Sequence, residues 1–81
     1  MKITCKFFAL LRDRAGVAET SIEMNSDSTV ADALETVAAR FPDVRELLKT
    51  CAVAVNQEYA NPSAKLNDGD MLAIIPPVSG G

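Results

Sequence analysis

The chain has 81 residues, 48% hydrophobic and 23% charged, which is the composition of one small globular domain and not of a disordered, collagenous or coiled-coil chain. A domain this size removes only about 60–65% of its unfolded surface from water, so a deep, enclosed catalytic cavity is disfavoured. Histidine is absent, and eight basic residues against eleven acidic leave a formal charge of -3; Ser-His or Cys-His chemistry, the usual zinc ligand sets, nucleic acid and anionic membranes are all poor fits.

From Lys2 to Phe7 the residues alternate, with Ile3, Cys5 and Phe7 on one face, which predicts a half-buried strand. Ala9 to Gly16 mixes apolar residues with three charges before a glycine, which suits a loop or a single helical turn with Arg12 and Arg14 in solvent. Ala18, Thr20, Ile22 and Met24 alternate with polar residues in a second strand, antiparallel to the first. Asn25 to Ser28 is a polar turn. Thr29 and Asp32 then have capping-box spacing, and Val30, Leu34, Val37, Ala38 and Phe41 recur at helical intervals, so the main helix runs to the residue before Pro42. Val44, Leu47 and Leu48 mark a short second helix.

Cys51, Val53 and Val55 open a third strand that ends at an Asn56-Gln57 turn, followed by a brief strand at Glu58 to Ala60. Asn67-Asp68-Gly69-Asp70 reads as a solvated turn; its two acids fall well short of a calcium loop, and no metal site is expected. Met71 to Ile75 reads as a last strand, buried on both faces and central. This order predicts an α+β fold, a β-grasp (ubiquitin-like) roll: a mixed four- to five-stranded sheet packed against one main helix plus a short second helix. A ferredoxin-like arrangement would need another full-length helix where Asn61-Pro62-Ser63 interrupts.

Cys5 falls on the inward face of its strand, a packing position, and Cys51 reads similarly. Two separated cysteines without a CxxC pair fit a reducing cytosol, so a cytoplasmic location is expected. The apolar run Phe7 to Leu11 is too short for a signal-peptide core. No GxGxxG, GxxxxGK or GxSxG is present, so no nucleotide or other cofactor is expected to bind this chain, and its chemistry must involve a partner. The informative stretch is Pro76-Pro77-Val78-Ser79-Gly80-Gly81. The prolines favour an extended exit from the sheet, and two residues without side chains let a main-chain carboxylate enter a narrow channel. At about 3.3 Å per residue this tail reaches on the order of 20 Å. The expected division is therefore a β-grasp domain over 1–75 and an extended tail over 76–81.

This ending after Asp68-Gly69-Asp70, together with Phe7-Phe8-Ala9, Arg12 and Ala54-Val55-Asn56-Gln57, resembles the small subunits of molybdopterin synthase, a family of β-grasp sulfur carriers. The resemblance covers nearly the whole chain. It implies that the Gly81 carboxylate is adenylated by an activating enzyme using ATP and is converted to a thiocarboxylate with a sulfurtransferase as a further partner. It also implies that Pro76, Pro77, Val78, Ser79 and Gly80 carry that group into the large synthase subunit, which supplies a basic pocket and a catalytic lysine. Sulfur would pass to cyclic pyranopterin monophosphate to form the molybdopterin dithiolene, within a heterotetramer of two small and two large subunits. Arg12 and Ile75 are the implied partner contacts; Ile74-Ile75 stands where family members carry aromatic residues. Three other readings stay open: a thiamine-pathway sulfur carrier, a protein modifier joined through Gly81 to lysines, and a passive module whose strand edge binds a partner.

Overall fold

The computed structural model describes residues 1–77. Its elements in chain order are β1 (Lys2–Phe7), α1 (Ala9–Ala15), β2 (Glu19–Glu23), α2 (Val30–Arg40), a 3₁₀ turn (Pro42–Val44), α3 (Arg45–Leu48), β3 (Ala52–Val55), β4 (Glu58–Tyr59) and β5 (Met71–Ile75). The five strands form one mixed sheet in the order β2-β1-β5-β3-β4. β1 pairs antiparallel with β2 and parallel with β5, and β5 pairs antiparallel with β3. This is the expected β-grasp arrangement, with β5 in the middle.

The alternation along β1 places Ile3, Cys5 and Phe7 in the core with Leu72 and Ile74 of β5. Across from them lie Val30, Ala33, Val37 and Ala38 of α2, then Val44 and Leu48. The rings of Phe7 and Phe41 meet edge to face, with centroids 5.5 Å apart. The capping box is formed: Thr29 Oγ1 accepts from the Asp32 N–H, and the Asp32 carboxylate accepts from the Thr29 N–H at 2.9 Å. At the other end α2 stops at Arg40, whose guanidinium donates to Thr20 Oγ1 and to the Ser21 carbonyl, tying the helix to β2.

Five local expectations change. Ala9–Ala15 is a seven-residue helix and not a loop or single turn, because Leu11 enters the core and Gly16, at φ 82°, closes the end in the left-handed conformation. The second and fourth strands are shorter than their patterns, ending at Glu23 and Tyr59. Cys51 lies just before β3, and its Sγ donates to the Leu47 carbonyl at 3.1 Å. β5 is buried on one face only: Leu72 and Ile74 are fully covered, whereas Met71 is 40% exposed, because the core and its helices lie on the opposite side.

Candidate functional site

The uncovered face of the sheet is built by the residues that alternate with the core. On β5 these are Met71, Ala73 and Ile75, and on β3 the neighbouring position is Ala54, paired with Ala73 and Tyr59. Phe8 joins them because Phe7 already points inward, so the next residue on an extended backbone must point out. Ala9, at φ 51°, then turns the chain sharply into α1 and leaves Phe8 43% exposed. Tyr59 on β4 is 80% exposed. Phe8, Ala54, Gln57, Tyr59, Ala73 and Ile75 line an open, largely apolar hollow of about 470 Å³. A second hollow of about 430 Å³ adjoins it, sharing Phe8, Gln57 and Ala73 and adding Lys6 and Asn56. Large exposed apolar side chains gathered this closely mark an interaction surface.

The partner contacts expected from sequence fall on or beside this face. Ile75 is half-buried and lines the first hollow. Arg12 is exposed on α1, one turn beyond Phe8, to whose carbonyl its N–H donates at 3.3 Å. Pro76 is half-buried, Pro77 is exposed, and both continue from the end of β5 beside the hollow. Val78, Ser79, Gly80 and Gly81 lie outside the described residues. Sequence reasoning missed Phe8, Tyr59, Met71 and Ala73 as surface residues. For Phe8 a signal was present in the consecutive phenylalanines, which cannot both face one side; the uniformly apolar run of β5 gave none for Met71 and Ala73.

The remaining reactive groups point away from chemistry. Cys5 is fully buried, and burial pushes its thiol up to about 11. Burial also raises the Cys51 thiol. Asp70 is not the solvated turn carboxylate of the sequence reading: it is 8% exposed and bonded to Asn56 and to the Asn67 N–H. Among the described residues, no three potential metal ligands come together, and no helix is long and apolar enough to cross a membrane. The described part of the chain thus offers an open apolar face that ends beside Pro76 and Pro77.

Comparison with known proteins agrees with this arrangement. The model of the ThiS family matches residues 5–81. The chain is 43% identical over 83 residues to the molybdopterin synthase sulfur carrier subunit of Chlamydomonas reinhardtii, covering 100% of both. The crystal structure of the small archaeal modifier SAMP1 from Haloferax volcanii superposes with a TM-score of 0.94 at 30% identity, again over 100% of both chains. A complex of subunits 1 and 2 of the molybdopterin-converting factor from Helicobacter pylori contains a chain that matches with a TM-score of 0.72 at 27% identity, covering 100% of both.

Proposed function

The chain belongs to the ThiS family, and from that membership we propose that it is the sulfur carrier subunit of a molybdopterin synthase. The observation that carries this reading is the full-length match to the Chlamydomonas sulfur carrier subunit. The geometry supports it, because Ile75 lines the apolar face and directly precedes the tail, so a partner seated on that face stands at the tail's base. The subunit pairing in the Helicobacter complex supports a large-subunit partner.

In this reading Gly81 is the working position. A carboxylate is a poor electrophile; transfer of AMP from ATP on an activating enzyme, with release of pyrophosphate, makes it a mixed anhydride. A persulfide on a sulfurtransferase then displaces AMP to give an acyl disulfide, which a second thiol cleaves, forming a disulfide on the donor and leaving a thiocarboxylate. That sulfur attacks the pterin precursor in the large subunit, water hydrolyses the resulting thioester to leave the sulfur on the pterin and return the Gly81 carboxylate, and two rounds build the dithiolene. The chain binds no cofactor of its own and acts as the sulfur-donating half of a sulfurtransferase, in the cytoplasm, in a heterotetramer with two large subunits. The domain over 1–75 docks while the tail over 76–81 delivers, and Arg12 contacts the activating enzyme.

Mass spectrometry of the intact chain and of its C-terminal peptide tests this after incubation with activating enzyme, ATP and a sulfur donor. Replacement of one oxygen by sulfur on Gly81, requiring ATP and absent when Gly81 is deleted, is the expected result. The peptide map separates this from oxidation of methionine or cysteine, which gives a similar mass change. An unmodified Gly81 with active partner enzymes refutes the proposal. The likeness to the Haloferax modifier favours one second reading, conjugation to lysines, and higher-mass conjugates in place of the thiocarboxylate would establish it.

A further inference from the structure

Among the described residues, Asp70 is the only charged side chain that the fold buries. Burying a carboxylate is costly unless its oxygens find donors, and both do. Oδ1 accepts from Asn56 Nδ2 at 2.9 Å, and Oδ2 accepts from the Asn67 N–H at 2.8 Å. Asn56 is held from its other side: its Oδ1 accepts from the Met71 N–H at 3.0 Å, while its own N–H donates to the Met71 carbonyl at 2.8 Å. Two side chains thus clasp the β3–β4 turn to the turn that precedes β5. Carrier chemistry at the tail makes no use of either.

β4 needs such a tie. It has two residues, pairs only with β3, and follows a turn in which Asn56 and Gln57 both have positive φ, 50° and 73°. Asparagine tolerates that conformation; glutamine there is uncommon and carries strain. So short a hairpin has little stability of its own in water. Yet its two ends, Gln57 and Tyr59, line the apolar hollow with Phe8 and Ile75.

We propose that Asp70 and Asn56 are positioning residues for partner docking: their clasp fixes the β3–β4 turn so that Gln57 and Tyr59 stand with Phe8 and complete the docking face. The inference rests on the docking role assigned to that face above.

A reciprocal exchange tests it. Asn56→Asp alone sets two carboxylates against each other, and Asp70→Asn alone leaves the facing amides with mismatched donors. Made together, they restore every bond with the polarity reversed: the carboxylate at position 56 accepts from the Met71 N–H and from the amide at position 70, whose oxygen accepts from the Asn67 N–H. Asn56→Gly is a gentler variant, suited to positive φ and lacking only the side-chain bonds. The chain has one tyrosine and no tryptophan, so its intrinsic fluorescence reports Tyr59 alone. Each single variant is expected to lower the anisotropy of that fluorescence in the free chain. Each should also weaken binding to the large synthase subunit by about tenfold, the exchange restoring both. In a Tyr59→Ala background the affinity loss should largely vanish, as coupled residues require. Unchanged anisotropy in the single variants overturns the proposal. So does an affinity loss that persists undiminished beside Tyr59→Ala, or an exchange that restores Tm but not affinity. If the wild-type chain does not bind the large subunit, the docking reading fails, and the Tyr59 fluorescence still decides whether the clasp positions the turn.

Discussion

Cys5 has no exposed surface, and burial is the main reason its thiol stands at about 11 against an ordinary 9.0, the Arg40 guanidinium pulling weakly the other way. The folded chain therefore holds this proton more tightly than the unfolded chain. The stability linked to it is complete below about pH 9 and is lost as pH rises through 11, by up to about 3 kcal/mol. Urea midpoints measured from pH 8 to 11 are expected to fall more steeply for the wild type than for Cys5→Ala. Tyr59, by contrast, is mostly solvated and packs little against its own domain. Tyr59→Ala is expected to leave Tm nearly unchanged and to weaken large-subunit binding by about 10- to 30-fold in calorimetry, the loss typical of an aromatic anchor. The inward position of Cys5 was legible from simple alternation. The burial of Asp70 was not, since Asp-Gly-Asp reads locally as a solvated turn and the partner that holds it, Asn56, is fourteen residues away.

Among the elements, α2 announces itself most clearly, carrying its cap, its apolar stripe and its proline stop in the sequence. Thr29→Ala removes one half of the reciprocal cap and is expected to cost about 1 kcal/mol in urea unfolding. α1 carries only a stop signal, Gly16: its N-cap is Phe8 without a side-chain bond, no acidic residue stands in its first turn, and Ala9 has positive φ. Tertiary packing makes it helical, through Leu11. Leu11→Ala is expected to destabilise the domain by about 2–5 kcal/mol and to reduce helical circular dichroism. For β5 the apolar run was legible and its one-sided burial was not, because an apolar face kept open for a partner has the same composition as one buried in the chain's own core.

For the molecule as a whole, strand order and class follow from the succession of patterns, whereas the docking face exists only once β1, β5, β3 and β4 are in register. Among the described residues the buried core runs from Ile3 to Ile74, so removing Gly80 and Gly81 is expected to leave Tm unchanged while abolishing sulfur transfer. The place of β5 between β1 and β3 also has a mechanical consequence. Traction applied to the tail runs along β5, and the hydrogen bonds to both neighbours lie across the pull, so they must shear together instead of opening one by one. In an optical trap, a chain held at Met1 and pulled by its tail is expected to give way in one step, at a higher force than when Lys2 and Glu23, paired at the open end of the β1–β2 hairpin, are drawn apart. In the proposed carrier cycle, a tail drawn out of its partner after each transfer would be rooted in a strand bonded along both edges.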